Sequence, residues 1–141
     1  REQSGKPACF VCSWNRRKML FEIAKEQHCN KLAFGHHRDD AIESLLMSMM
    51  FNGTIASMPP RLAMFDNTFT LIRPLIYVTN KETMQYAKFR NFKQQKKACP
   101  YEQATNRHAI ASIIDQMEAL SPHVRGNLFA AMKNIQNEYL P

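Results

Sequence analysis

The chain has 141 residues with a hydrophobic content of 45%, which is enough for one α/β domain with a real core. Its 19 Lys and Arg residues outweigh 12 Asp and Glu residues, and the net charge of +7 favours a polyanionic partner such as RNA or a nucleotide. No run approaches the roughly 20 apolar residues of a membrane span, and the polar start lacks the apolar core of a signal peptide. We therefore expect a cytoplasmic protein without a membrane partner, and the polar start at Arg1 suggests a fragment of a longer one.

The first predicted element is a helix from about Trp14 to His28, because apolar residues recur at helical spacing around Met19 and Ile23. A Cys-x-x-Cys pair, Cys9 and Cys12, precedes it. In a cytosolic chain such a pair favours metal or redox chemistry over a disulfide, and a helix N-terminus favours the thiolate that both require. Cys29 stands alone and is predicted to be an ordinary buried thiol.

A short apolar run, Lys31–Phe34, predicts a buried strand that Gly35 ends, and a helix from about Ala41 to Phe51 should follow. A helix, a strand and another helix in succession are typical of a parallel sheet. The turn between strand and helix should lie at the carboxyl edge of that sheet, where ligands collect. There the new helix offers unpaired N–H groups to an anion.

The residues of this turn, Gly35-His36-His37-Arg38-Asp39-Asp40, combine two imidazoles, a guanidinium and two carboxylates. Such a set can bind a phosphate, hold a divalent metal through oxygen and move a proton. A purely structural role is the alternative, with Asp39 or Asp40 as the helix N-cap and Glu43 completing a capping box. We expect one aspartate to cap the helix and the other to be free for chemistry.

Further along, Asn52-Gly53 should close this helix, and Asp66-Asn67 should form the turn of a β-hairpin whose strands are Arg61–Phe65 and Thr68–Ile72. Arg73 then places a cation at a strand end, directly before Pro74. The last predicted elements are three helices: about Asn80 to Asn91 with Thr79 or Asn80 as its cap, about Ala104–Leu120, and about Pro122–Tyr139.

Several of these motifs occur together in one order: Cys9-x-x-Cys12, Arg16-Arg17, Gly35-His36-His37-Arg38-Asp39-Asp40, Gly53, Met58-Pro59-Pro60, Ile72-Arg73-Pro74-Leu75 and Cys99. The combination covers nearly the whole chain and resembles the tRNA 2-thiocytidine synthetase family of PP-loop ATP pyrophosphatases. The resemblance implies an α/β fold of the Rossmann-like adenine-nucleotide α-hydrolase (PP-loop ATPase) type, incomplete at the N-terminus. Residues 1–100 would form the remainder of the nucleotide-binding sheet, and residues 101–141 C-terminal helices.

The resemblance also implies the chemistry. Enzymes of this family use ATP and Mg²⁺ to adenylate the C2 oxygen of a tRNA cytidine and then replace it by sulfur, taken from a donor protein or sulfide. Three cysteines hold a [4Fe-4S] cluster, and by position these are Cys9, Cys12 and Cys99. The implied catalytic residues are Asp39 and Asp40. The implied nucleotide-binding residues are Gly35, His36, Arg16, Arg17 and Arg73, although a surface role is equally compatible with Arg73.

One departure from the family pattern concerns the glycine-rich Ser-Gly-Gly-x-Asp-Ser loop that binds pyrophosphate, which these 141 residues do not contain. We therefore expect this chain alone to be inactive. Sheet edges left exposed in a C-terminal part would favour a homodimer.

Three other interpretations stay open. A Zn²⁺ site would need one histidine, such as His28 or His108, beside the three cysteines. A thioredoxin-like redox pair would use Cys9 and Cys12 but leave Cys99 without a role. A plain RNA-binding module would use the basic and aromatic residues around the last helices, although such aromatics usually belong to a core; these residues are Lys88, Phe89, Arg90, Phe92, Lys93, Lys96, Lys97, Arg107, His108, His123, Arg125 and Lys133.

Overall fold

The computed structural model describes residues 8–93 and 106–140. It contains five α-helices and three strands among these residues, followed by a short 3₁₀ helix, Asn137–Tyr139. In chain order the elements are α1 (Ala8–Glu26), β1 (Lys31–Ala33), α2 (Arg38–Asn52), β2 (Arg61–Met64), β3 (Phe69–Ile72), α3 (Asn80–Phe89), α4 (Asn106–Leu120) and α5 (Val124–Ala131).

The strands form one sheet in the order β1-β3-β2. Strand β1 runs parallel to β3, with Leu32 opposite Leu71, and β2 pairs with β3 in antiparallel fashion, as the predicted hairpin requires. The hairpin turn contains Asp66 and Asn67 at positive φ, residue types that tolerate this conformation better than most. The parallel pair and the hairpin therefore confirm the predicted order of elements.

Contacts divide the chain into two compact units. The first comprises, among the described residues, 8–35 and 60–74, and holds α1 and the sheet. Its packing centres on Phe21, whose ring meets those of Phe65 and Phe69 edge to face at centroid distances of 6.0 and 5.2 Å. Ala24 and Leu71 are buried in the same unit.

The second unit comprises, among the described residues, 36–59, 75–93 and 106–140, and contains helices α2 to α5. Its core is formed by Ile42 and Leu46 of α2 with Ile110 and Ile114 of α4. Burial of such side chains stabilises the fold by about 1.5–3 kcal/mol each. The core thus fixes helix α2, which begins with the predicted site residues, against the C-terminal helices.

Several predicted boundaries and environments are wrong. Helix α1 begins by Ala8, so Cys9 and Cys12 lie inside the helix and not before it. Strand β1 is not buried, because Lys31 and Ala33 are exposed and only Leu32 is partly covered. The last predicted helix ends at Ala131, and the predicted start at Ala104 lies outside the described residues, as does the proposed boundary near residue 100.

The C-terminus of helix α2 provides a prediction about stability. Gly53 occupies the C-cap at φ 62° and its N–H donates to the Ser48 carbonyl, so a side chain there would strain the backbone. Gly53→Ala should lower the unfolding free energy by about 1 kcal/mol. The matched control is Gly126→Ala inside helix α5, where the added Cβ meets open space and should raise it by about 0.5–1 kcal/mol. Urea denaturation of both variants checks the opposite signs.

Candidate functional site

Helix α2 begins with a capping box built from His37 and Asp40. The Asp40 backbone N–H donates to His37 Nδ1 at 3.3 Å, and the His37 backbone N–H donates to Asp40 Oδ2 at 2.9 Å. The N-cap is therefore His37, and the expectation that Asp39 or Asp40 occupies this position with Glu43 as its partner is wrong. Both aspartates instead lie in the first turn of the helix, where its dipole favours negative charge.

Asp39 is only 8% exposed, and both of its carboxylate oxygens have partners. Arg125 of α5 donates from Nη1 to Asp39 Oδ1 at 2.9 Å, and the Asn80 backbone N–H donates to Oδ2 at 2.8 Å. Arg125 also donates from Nε to Glu118 at 2.8 Å and from Nη2 to Asp115. Burial opposes the charge on Arg125, but the hydrogen bond to Glu118 and the three carboxylates together raise its pKa.

Asp40 is held in a second cluster by Arg107 of α4. Arg107 Nη1 donates to Asp40 Oδ1 at 3.1 Å and to Glu43 Oε2 at 3.2 Å, so one cation bridges two carboxylates. Desolvation by burial raises the pKa of Glu43, although the charge of Arg107 acts in the opposite direction. One guanidinium thus shares its charge between the aspartate and a partly buried glutamate.

Every carboxylate oxygen of Asp39 and Asp40 accepts a hydrogen bond from the protein. Neither aspartate side chain is therefore without protein partners, and a chemical role for one of them stays a prediction. The two cations that hold them, Arg107 and Arg125, were expected only as RNA contacts. Two adjacent aspartates at the start of an amphipathic helix indicate that cations are needed nearby if the carboxylates are buried. The sequence does not indicate which residues supply that charge.

The raised pKa of Glu43 gives a pH-dependent prediction. Because the folded protein binds this proton more tightly than the unfolded chain, the contribution of Glu43 to stability is largest at low pH. It decreases as pH rises from 4.5 through the higher pKa of the folded state. The unfolding free energy of the wild type minus that of Glu43→Gln should fall over this range. Exposed Glu138→Gln serves as the control, and a flat difference for Glu43→Gln would contradict the prediction.

The predicted nucleotide-binding residues belong to different units. His36 is partly buried at the start of the second unit, and Gly35 is exposed at the end of the first. In the first unit, Arg73 follows β3. Burial lowers its pKa, and the nearby charge of Arg17 on α1 lowers it further. The charges of two of the predicted anion-binding arginines thus interact within the first unit, whereas Arg16 is an exposed residue of α1.

The two thiols of the Cys-x-x-Cys pair are free and exposed on helix α1. Cys9 and Cys12 are three residues apart, so their side chains lie on the same side of the helix. Cys99 lies outside the described residues, and within the described ranges no three His, Cys, Asp or Glu side chains form a group suited to a metal ion. Cys29 is exposed, so the prediction of a buried thiol is wrong.

No helix within residues 8–93 and 106–140 has the length and apolar content to cross a membrane.

Comparisons with known proteins place these features in context. The sequence pattern of the family described as a PP-loop domain matches residues 14–117. A tRNA-cytidine(32) 2-sulfurtransferase from Verminephrobacter eiseniae is 39% identical over 137 residues, which are 96% of this chain and 43% of that protein. One of the same name from Syntrophotalea carbinolica is 35% identical over 96% of this chain and 53% of its own length. The chain thus spans about half the length of these relatives.

A solved structure has a similar fold. The U34-tRNA thiolase NcsA from Methanococcus maripaludis, determined with its [4Fe-4S] cluster, matches 100% of this chain and 47% of its own chain with a TM-score of 0.72. The sequence identity is 23%, so this likeness concerns the fold. Together the comparisons confirm the PP-loop family and the α/β PP-loop fold that the motifs predict.

Proposed function

Because the chain belongs to the PP-loop domain family, we propose that it is part of an ATP-dependent tRNA sulfurtransferase that converts a tRNA cytidine into 2-thiocytidine. The names of the curated relatives support cytidine 32 as the target. The observation that carries the proposal is the adjacent pair Asp39 and Asp40 in the first turn of helix α2, each held by an arginine. A tRNA substrate would place the activity in the cytoplasm.

In the proposed reaction, the cytidine C2 oxygen attacks the α-phosphate of ATP and pyrophosphate leaves. Sulfur at the oxidation level of sulfide, supplied as free sulfide or by a donor protein, then adds at C2, the C2–O bond breaks and AMP leaves with that oxygen. Arg17 and Arg73 support the first step, because the charge of Arg17 disfavours that of Arg73 and the negative charge of a bound phosphate would offset this effect. In this proposal Gly35, His36 and Arg16 complete the nucleotide-binding residues.

The proposed role of Asp39 and Asp40 is to hold Mg²⁺ beside the nucleotide. Mg²⁺ commonly takes one or two carboxylates together with substrate phosphates, so it requires no larger group of protein ligands. A carboxylate oxygen that accepts one hydrogen bond keeps a second acceptor position, which suits the observed contacts. The arginines then serve to hold both carboxylates in place.

The proposed [4Fe-4S] cluster would be held by Cys9, Cys12 and Cys99. The free, exposed thiols of Cys9 and Cys12 on one side of helix α1 fit this role, since both can approach one cluster. When bound, a cluster with three protein thiolates would offer one iron for the sulfur that is transferred.

The test is formation of 2-thiocytidine by the full-length protein that contains this chain, purified without oxygen. With tRNA, ATP, Mg²⁺ and sulfide, mass spectrometry of the tRNA nucleosides should detect the product, and omission of ATP should abolish it. The 141-residue chain alone should form none, because it contains no Ser-Gly-Gly-x-Asp-Ser loop. Absence of product with the full-length protein, or product with this chain alone, would contradict the proposal.

A further inference from the structure

A cavity of about 900 Å³ opens on the second unit beside helix α3. One face of α3 forms a wall of this α3 cavity, with residues at the spacing i, i+3, i+4 and i+7; these are Lys81, Met84, Gln85 and Lys88. Arg38 and Phe92 also line the cavity, together with the ion-paired cluster around Arg125. The cavity therefore joins one exposed helix to the first turn of α2.

The α3 cavity is lined by more cations than carboxylates, and its carboxylates already have partners. Both of its carboxylates, Asp39 and Glu118, are already ion-paired with Arg125. No salt bridge to a described residue involves Arg38, Lys81 or Lys88, and the Nε of Arg38 is buried without a hydrogen-bond partner in the described part of the chain. The cavity is thus lined by three cations whose charge suits an anionic ligand.

The cavity also presents an aromatic ring. Phe92 is 62% exposed, and Tyr86 holds its ring edge to face at a centroid distance of 6.1 Å. The expectation that aromatics in this basic segment belong to a core is wrong here, because helix α3 has no buried residue and Phe89 is 80% exposed. A supported, exposed ring beside cations is the arrangement that stacks an unpaired base while its phosphates are neutralised.

We propose that the α3 cavity binds a single-stranded stretch of RNA, with phosphates at Arg38, Lys81 and Lys88 and a base stacked on Phe92. Lys81 and Lys88 are separated by about 10 Å along the helix, so a run of successive phosphates suits them better than one phosphate group. The inference rests on the proposed function and identifies a surface of this chain that would hold the tRNA substrate.

The first test removes charge. The affinity of labelled tRNA is measured by fluorescence anisotropy at several salt concentrations for the full-length protein that contains this chain and for its Lys81→Ala/Lys88→Ala variant. The double variant should bind about tenfold more weakly, and the slope of log affinity against log salt should fall by about 1.4, since each phosphate contact contributes about 0.7 for a single strand. Lys18→Ala/Lys25→Ala on α1 removes the same charge from exposed helix positions and should retain the wild-type slope.

The second test removes the ring. Phe92→Ala should weaken tRNA binding about tenfold without changing the salt slope, because stacking involves no counterion release. Phe92→Trp should restore the affinity. Phe89→Ala is the matched control, since Phe89 is an exposed ring at the end of α3, three residues before Phe92, and does not line the cavity.

The outcomes separate this inference from the proposed function. Weaker binding by both cavity variants, with both controls unchanged and circular dichroism preserved, supports the inference. Wild-type affinity in both variants, in a protein that still thiolates tRNA, overturns the inference alone. A wild type that neither binds nor thiolates tRNA overturns both. A changed oligomeric state of the variants with unchanged tRNA affinity would assign the surface to a second copy, against the inference.

Discussion

Replacement of Arg125 by Met is expected to lower the unfolding free energy by about 2–4 kcal/mol, because it leaves the buried carboxylate of Asp39 without a counter-charge. Arg125 contacts three carboxylates, but they differ in exposure: the Asp39 side chain is 11% exposed and the Asp115 side chain 69%. The cost should therefore come mainly from Asp39. Urea denaturation of the variant measures it.

A double-mutant cycle isolates this contact. Asp39→Asn in the Arg125→Met background should recover part of the loss, because the neutral amide no longer requires the cation. Asp115→Asn is the matched control and should cost less than about 1 kcal/mol, as is usual for an exposed ion pair. Equal losses for Asp39→Asn and Asp115→Asn, with no coupling in the cycle, would show that Arg125 acts through packing alone.

The features predicted correctly from sequence are those set by local chemistry. Gly53 tolerates the left-handed conformation that ends helix α2, and Thr79, one of the two residues predicted to cap α3, is its N-cap. The hairpin turn likewise places Asp66 and Asn67, residue types that accept positive φ, in that conformation, although Phe65 adopts it as well. Each of these signals lies within a few residues of the structure it determines.

The capping of helix α2 shows where local rules gave the wrong residue. Aspartate is a preferred N-cap, so the two adjacent aspartates masked His37, whose Nδ1 accepts the Asp40 N–H. Helix α1 was started too late for a similar reason. Pro7, a residue type favoured in a first helical turn, directly precedes Ala8, whereas the apolar residues that recur at helical spacing begin only at Met19.

The site's long-range partners could not be predicted from spacing. Arg107 and Arg125 lie 67 and 86 residues from the aspartates that they hold. Any of the 19 Lys and Arg residues could supply that charge, and only the packing of α2 against α4 and α5 selects these two. The sequence therefore indicates the two carboxylates of the candidate site, whereas only the fold shows that each is ion-paired with an arginine.

The second large effect concerns the metal proposed for the cysteines. Anaerobic reconstitution of the chain with iron and sulfide should give broad visible absorption and about four irons per chain, the content of one [4Fe-4S] cluster. Cys99→Ala and Cys9→Ala should each abolish this uptake, because each variant leaves only two of the three protein thiolates that would hold the cluster. Metal analysis and the absorption spectrum measure the result without any need for activity.

Cys29→Ala is the matched control, because Cys29 is also a free, exposed thiol of the first unit but lies outside the Cys-x-x-Cys pair. It should retain full iron uptake, whereas equal loss in all three variants would indicate nonspecific binding by thiols.

Tight stoichiometric zinc without iron uptake would contradict the cluster and favour a zinc-stabilised RNA-binding module. In that case a fourth ligand such as His28 or His108 would be required, and histidine substitution would release the zinc. A cluster with three thiolates should be insensitive to both histidine substitutions, so the same two variants separate the alternatives.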